Sequence, residues 1–250
     1  MMGKQKAVQI SFPWSKYFLG TVDGYDAYER VERGDWFGGM RKGVSSASTL
    51  EGILEQDSSF YDAYVGIGTY YYWGSRKTGF IRWLPFVKDD RELGIKMLTI
   101  GAERSEYNRF AAVSALISIF LDANELKNAE EWSKRGLHTY PQNRVFLWGL
   151  ATAFDRQNRS AEAVLAYSNL LENILNAHAP HPYNEIVCRL NLAKTKIAMN
   201  DTVSVVSHLK KILSYEMCLF PVNIQPRAKS KFEEARKLLL PLEDRRAPGY

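Results

Sequence analysis

The sequence predicts an all-α protein, a right-handed α-solenoid of helical hairpins that ends in a C-terminal capping helix. Phe120 and Phe154 stand 34 residues apart, and the small residues Ala129 and Ala163 repeat at the same spacing. A 34-residue period is typical of helix–turn–helix repeats, each of which buries its apolar face only against a neighbouring repeat. Apolar residues recur at helical spacing along the chain, and no convincing period-two strand pattern interrupts them.

The first hairpin is predicted over residues 14–58. Its first helix is aromatic and periodic, and Gly34 and Asp35 interrupt it. The second helix follows over residues 36–56, with apolar residues at helical spacing. These residues are Met40, Val44, Ala47, Leu50 and Leu54.

The second hairpin is predicted over residues 61–107. Its first helix matches the repeat motif W-x2-L-G-x2-Y at four positions. The matching residues are Tyr64, Ile67, Gly68 and Tyr71. Gly68 predicts a close approach of two helices, because no side chain separates the backbones at that position.

An insertion over residues 74–89 separates the two helices of this hairpin. It interleaves basic residues with Phe80, Trp83 and Phe86. We expect it to be ordered and its rings to pack against neighbouring helices, because three exposed rings so close together form an apolar patch that few soluble chains tolerate. A partner surface, or contact with an anionic membrane surface or RNA, is the alternative interpretation.

Three more hairpins are predicted over residues 110–143, 144–177 and 186–218, followed by a capping helix over residues 226–240. An eight-residue insertion, Asn176–Tyr183, precedes the last hairpin. The capping helix is amphipathic, as the end of a solenoid requires, because the last repeat has no neighbour to cover it. Asparagine, which tolerates the left-handed conformation, recurs at the turns inside these hairpins. The three turn residues are Asn124, Asn158 and Asn200.

Over residues 15–240 the chain resembles the tetratricopeptide repeat (TPR) superfamily, through the motif of the second hairpin and the 34-residue spacing of two later ones. Residues 61–73, 84–86 and 89–95 are similar to a narrower, largely uncharacterised group of bacterial TPR proteins. Members of that group often carry an export leader, which this sequence does not show. The resemblance implies a scaffold for proteins or peptides and carries over no enzymatic activity.

Composition narrows the function further. Apolar residues make up 46% of the chain and charged residues 24%, which is typical of a globular protein. The net charge of +5 is evenly spread, which argues against nucleic acid as a partner. Cys188 and Cys218 are expected to be buried thiols and not a disulfide.

No apolar stretch is long enough for a membrane span. No secretory signal is visible, so a cytoplasmic location is expected; a periplasmic or exported location is the alternative if a native leader has been removed.

The sequence contains no recognisable catalytic, cofactor-binding or metal-binding pattern. Gly66 and Gly68 lack the third glycine and the preceding strand of a nucleotide-binding loop. His178 and His181 lie in a proline-containing loop without nearby cysteine or carboxylate ligands, so an ordinary loop is the better interpretation. No nucleophile is paired with a base. We therefore expect a non-enzymatic protein without cofactor or metal.

A binding site is predicted on the concave face of the solenoid. Tyr72 and Trp73 belong to a run of four aromatic residues, which cannot all face the core of a helix. Later hairpins place further aromatic and charged residues at the corresponding positions, as peptide grooves require. The predicted partner-binding residues are Tyr72, Trp73, Trp148, Asp155, Arg156 and Lys194. The alternative is a helical domain that binds a small molecule or lipid in an aromatic cavity under the insertion at 74–89.

Overall fold

A computed structural model describes residues 13–77, 88–179 and 181–244. These residues form eleven α helices and a single 3-10 turn, and no strand occurs among them. The first five helices are α1 Trp14–Glu32, α2 Trp36–Leu54, α3 Tyr61–Lys77, α4 Arg91–Arg104 and α5 Arg109–Asp122. The other six are α6 Leu126–Thr139, α7 Arg144–Arg156, α8 Ser160–Leu175, α9 Pro182–Ala198, α10 Val203–Leu213 and α11 Gln225–Asp244. The 3-10 turn is Met217–Leu219.

The chain divides into two compact units, an N-terminal unit over Met1–Ile119 and a C-terminal unit over Phe120–Tyr250. In the N-terminal unit α1 packs on α2, α2 on α3 and α3 on α4. The core between α1, α2 and α3 is formed by Tyr17, Leu50, Ile53, Ala63 and Ile67. Helices that contact their neighbours in sequence are the packing order of an α-solenoid.

The C-terminal unit continues the same order from α6 to α11, and α11 also contacts α9. A first cluster lies between α7, α8 and α9 and includes Phe154, Ala163 and Tyr167. A second lies between α9, α10 and α11, where Phe232 and Ala235 pack on the helices before them. The last helix therefore covers the final hairpin, and the predicted all-α fold with a capping helix is confirmed.

The repeat is visible in the hydrogen bonds of the turns. In three successive hairpins a backbone N–H after the turn donates to the carbonyl five residues earlier, at 2.8 to 3.0 Å. The pairs are Glu125 with Phe120, Arg159 with Phe154, and Asp201 with Lys196. The first step is 34 residues, and the second is 42, which is 34 plus the eight-residue insertion. The predicted turn residues have φ angles of 60°, 59° and 61°, and their left-handed conformation is confirmed for Asn124, Asn158 and Asn200.

The predicted close approach at Gly68 is confirmed. A Cβ at Gly68 would lie 2.7 Å from the carbonyl oxygen of Gly94, and a Cβ at Gly94 would lie 2.7 Å from the carbonyl oxygen of Gly68. Such distances are too short for any side chain carbon. The two glycines therefore let the backbones of α3 and α4 pack directly on each other.

Two details differ from the sequence predictions. Helix α3 continues through the first residues of the predicted 74–89 insertion and ends at Lys77; the buried Ser75 accepts a hydrogen bond from the Asp90 backbone at 3.0 Å. The packing predicted for Phe80, Trp83 and Phe86 concerns residues outside those that the structure describes.

The two cysteines were both predicted to be buried. Both thiols are free, but only Cys188 is buried. Cys218 is exposed because it lies on the short turn Met217–Leu219, which has no buried residue.

Candidate functional site

Tyr72 was predicted to lie on an open surface, but the structure places it in the interior. Only 2% of the residue is exposed, and its hydroxyl points at the Ile119 carbonyl oxygen at 3.4 Å. The reason is helical geometry. Tyr72 follows Gly68 by one turn, so it lies on the same side of α3 that packs against α4. The prediction that Tyr72 contacts a partner is therefore corrected: this ring belongs to the interior of the N-terminal unit.

Trp73 is the second partner-binding residue predicted on α3, and unlike Tyr72 its side chain is partly exposed to solvent. The indole is half-buried and meets the Tyr72 ring edge-on, with ring centroids 5.1 Å apart. The buried Tyr72 thus fixes the orientation of Trp73. A half-buried indole of fixed orientation can contact a partner at a small cost in side-chain entropy.

In the C-terminal unit, Asp155 and Lys194 connect three helices. Thr195 of α9 donates to the Asp155 carboxylate of α7 at 2.8 Å, and Lys194 forms an ion pair with Glu234 of α11. Burial alone would raise the pKa of Glu234, but hydrogen bonds from Lys194 and Lys231 outweigh it and lower the pKa below its usual value. These contacts align polar groups across α7, α9 and α11 and hold their side chains in place.

Arg156 binds the turn between α5 and α6. Its guanidinium donates to the Leu121 carbonyl at 2.6 Å and to the Asn124 side chain at 3.1 Å. The Leu121 carbonyl, at the end of α5, also accepts from the Asn124 backbone N–H at 3.3 Å, so Arg156 is its second donor. Arg156 therefore has a structural task, although the residue as a whole remains exposed.

Trp148, on α7, is the aromatic residue predicted for the site in this unit. It is half-buried and packs against the cluster between α7, α8 and α9. Together with Asp155 and Arg156 it places one indole and two charged groups on a single helix, and Thr195 brings α9 to the same carboxylate. This arrangement can form hydrogen bonds, ion pairs and apolar contacts, but it contains no nucleophile paired with a base.

The sequence did not predict that the first helix exposes so much apolar surface. Five residues of α1 are at least half exposed: Phe18 at 50%, Leu19 at 68%, Val22 at 63%, Tyr25 at 73% and Tyr28 at 66%. We refer to these five residues as the α1 face. Their helical spacing was visible in the sequence, but periodic aromatics in a helix ordinarily indicate a core.

A buried polar cluster joins α9 to α10. The Glu185 carboxylate, 4% exposed as a residue, accepts from Arg189 at 2.6 Å and from the Tyr215 hydroxyl at 2.5 Å. Arg189 also contacts the His208 ring at 3.2 Å. Burial, followed by the positive charges of Arg189 and Lys196, lowers the pKa of His208. Burial and the bond to Glu185 raise the pKa of Tyr215 to about 12. The side chains of the cluster provide one another's hydrogen-bond partners, and these bonds hold the two helices together.

Two pockets in the C-terminal unit have no Phe, Tyr or Trp in their lining. One of about 300 Å³ lies between α8, α9 and α10 and includes Lys196 and His208. The other, of about 650 Å³, lies beside the start of α7 and the end of α8 and is lined mainly by amides and charged residues such as Arg144 and Glu172. Neither is the aromatic cavity of the small-molecule alternative, which was predicted under the insertion at 74–89; residues 78–87 of that insertion lie outside the described part of the chain.

Other kinds of site are not evident in the parts of the chain that the structure describes. His178 and His181 are both exposed. Within 13–77, 88–179 and 181–244, no group of three or more His, Cys, Asp or Glu side chains could hold a metal ion. None of the helices in these ranges combines the length and apolar character that crossing a membrane requires.

Comparisons with known proteins show the fold. No family model matches the chain, and no curated protein does. A structure of MamA from Desulfovibrio magneticus RS-1, residues 41 to the end, is 13% identical with a TM-score of 0.55, and the match covers 79% of this chain and 93% of that solved chain. A MamA RS-1 ArsTM double mutant is 12% identical with a TM-score of 0.51, covering 89% and 94%.

A third match is the TPR2AB domain of yeast Sti1 in a complex with pHSP90. It is 12% identical and covers 88% of this chain and 99% of that one, but its TM-score of 0.39 is too low to carry an argument. The two MamA structures are TPR-like, and so is this chain: it has a TPR-like helical-repeat fold. The narrower resemblance to a bacterial group stays a prediction.

Proposed function

We propose that this protein is a non-enzymatic scaffold that binds a protein or peptide. The TPR-like fold supports the class, because helical repeats offer extended surfaces on which partners are held. Trp73 in the N-terminal unit and Trp148, Asp155, Arg156 and Lys194 in the C-terminal unit are the proposed contact residues. Tyr72 is excluded because it is buried.

The observation that carries the proposal is the half-buried Trp148 on α7, the helix that also carries Asp155 and Arg156. Asp155 is fixed by Thr195, and Lys194 is fixed by Glu234. Tryptophan is the residue type most enriched among the few that dominate binding energy, and pre-ordered polar neighbours lose little entropy when a partner binds. An indole in such surroundings is the expected centre of a peptide contact.

Affinity capture from native lysate tests the proposal, with the wild type compared with Trp148→Ala and Lys194→Glu. The matched control is Leu165→Ala, which shortens a 64% exposed apolar residue on α8 of the same unit. Truncating a central tryptophan costs about 2 kcal/mol or more, so we expect Trp148→Ala to weaken a specific partner about thirtyfold. Circular dichroism confirms that each variant is folded.

Specific proteins recovered by the wild type and Leu165→Ala, but lost with Trp148→Ala, support the proposed surface. Recovery of every specific protein at equal yield by both site variants would show that this surface binds none of them. Turnover of a substrate by the purified wild type, abolished by a single substitution, would contradict the non-enzymatic class.

A further inference from the structure

The cleft of about 650 Å³ between the start of α7 and the end of α8 is lined mainly by polar side chains. Four of them are carboxamides, one is a cation and one is a carboxylate: Gln142, Asn169, Asn173 and Asn176, with Arg144 and Glu172. The size of the cleft is within the range of ligand sites, which are ordinarily more apolar. The lining is therefore suited to a ligand that forms several hydrogen bonds.

Arg144 is the cation of this cleft, and it has no carboxylate partner among the residues that the structure describes. It is half-buried, and its Nε donates to the side-chain oxygen of Asn173 at 2.8 Å. Within the same described residues, no group accepts from its two terminal nitrogens. A guanidinium that is partly removed from water is ordinarily paired with an anion. Its two terminal nitrogens match the two oxygens of a carboxylate.

The amides beside Arg144 hold its side chain in one orientation. Because the side-chain oxygen of Asn173 accepts from Arg144, its nitrogen is free to donate elsewhere. That nitrogen donates to the Gln142 backbone carbonyl at 3.0 Å and to the Gln142 side-chain oxygen at 2.6 Å. The side-chain nitrogen of Gln142 consequently remains as a donor beside the cleft. Asn143 caps the first turn of α7, which fixes the backbone that carries Arg144. Groups that are already ordered lose little entropy on binding.

The charges and amides around the cleft indicate which ligand it takes. Glu172 is exposed on the same lining, and its negative charge repels a phosphate ester, with up to two charges, more strongly than a carboxylate with one. The described lining has no Phe, Tyr or Trp on which a nucleobase could stack. Each carboxamide both donates and accepts, as each peptide group does. The lining therefore matches a polypeptide that carries a carboxylate.

We propose that this cleft binds a peptide segment through an aspartate or glutamate side chain, whose carboxylate pairs with the terminal nitrogens of Arg144. The peptide groups on either side of that residue form hydrogen bonds with Gln142 and Asn169. The inference rests on the proposed function in taking the ligand to be a peptide. Trp148 follows Arg144 by four residues, about 6 Å along the axis of α7, so one extended segment can reach both side chains.

NMR titration of the full chain with the tripeptide Ala-Glu-Ala, acetylated and amidated at its ends, tests the proposal. The side-chain amide signals of Gln142 and Asn169 are expected to shift and to saturate in the millimolar range. The neutral tripeptide Ala-Gln-Ala should bind at least about tenfold more weakly, as should Ala-Glu-Ala to Arg144→Gln. Arg236→Gln is the matched control, because it removes the same charge from an exposed arginine of α11. Glu172→Gln should tighten binding about twofold, because it removes a like charge.

The backbone signals away from the cleft show whether each variant keeps its fold. The proposal is overturned if the wild type shows no saturable shift up to about 20 mM tripeptide. Equal binding of Ala-Gln-Ala, or unchanged binding by Arg144→Gln, overturns it as well. Tighter binding of free glutamate or inorganic phosphate would assign the cleft to a small anion instead. Failure here leaves a partner captured through Trp148 intact, and failure of the capture experiment leaves Arg144-dependent binding of the tripeptide intact, so the two proposals fail separately.

Discussion

Single residues without a side chain decide how closely α3 and α4 approach each other. Gly68 and Gly94 face one another at this crossing, and a Cβ on either would lie within 3 Å of the opposite backbone. A backbone cannot move aside as the end of a flexible side chain can. Any larger residue at either position must push the two helices apart.

We expect Gly68→Leu and Gly94→Ala to destabilise the protein, the leucine by about 3 kcal/mol, as overpacking of a close contact does. Gly52→Ala on α2 is the matched control, because nothing lies within 4 Å of its would-be Cβ. Alanine also has the higher helix propensity, so that change should be neutral or stabilising by up to about 1 kcal/mol. Urea unfolding measures all three. A neutral Gly68→Leu would mean that the helices do not cross there.

At the scale of elements, one buried carboxylate holds the start of α5. Asp62 of α3 is 4% exposed and lies opposite the loop before α5. It accepts hydrogen bonds from the Ser105 hydroxyl at 2.8 Å and from the backbone N–H groups of Tyr107 at 3.0 Å and Asn108 at 2.9 Å. Both N–H groups belong to the two residues directly before α5, where the helix itself supplies no acceptor. The Asp62 side chain, from another helix, accepts both.

Replacing this carboxylate should loosen the loop and the helix after it. Asp62→Asn turns an oxygen acceptor into an NH₂ donor or leaves N–H groups unpaired, and we expect a loss of about 2–3 kcal/mol, since charge-assisted hydrogen bonds are the stronger kind. Hydrogen exchange should rise at residues 106–108 in particular. Asp57→Asn, an exposed residue that accepts from Ser59, is the control and should cost about 1 kcal/mol or less. Equal losses in the two variants would contradict the anchoring role.

At the scale of the whole molecule, the helices and their order followed from local and periodic features of the sequence. The 34-residue spacing, the turn asparagines and the motif around Gly68 are all properties of short segments or of their repetition. The site depended on which side of a helix each residue occupies and on contacts between distant residues. Tyr72 was misplaced because two sides of α3 carry aromatics and only the partner helices decide which side is buried.

The exposed α1 face illustrates the same limit from the other direction. An aromatic helix is compatible with burial or with a partner surface, and the choice depends on how many neighbours the helix has. As the first described helix, α1 packs mainly on α2. Likewise, the partners of Arg156 and Asp155 lie 32 to 40 residues away in the chain, so their structural tasks could not be read from either segment alone.

Three tyrosines in the two units connect stability to alkaline pH. A hydrogen bond to Glu51, then burial, raises the pKa of Tyr71 to about 12. Burial raises the pKa of Tyr167 to about 12, and burial with the bond to Glu185 does the same for Tyr215. An unfolded tyrosine has a pKa of about 10. Because the folded values are higher, this stabilisation is fully present below pH 10 and is lost as the pH rises from about 10 to 12.

We expect the free energy of unfolding of the wild type to fall steeply over that interval, with Tyr167 alone contributing about 2 kcal/mol, since one pKa unit corresponds to about 1.4 kcal/mol. Tyr167→Phe has no proton to lose, so its unfolding free energy should depend less on pH there. Tyr140→Phe, which removes a hydroxyl from a 51% exposed tyrosine of the same unit, is the matched control. Urea unfolding between pH 7 and about 12 measures the slopes. Identical slopes for the wild type and Tyr167→Phe would show that the Tyr167 hydroxyl is not held in its protonated form by the fold.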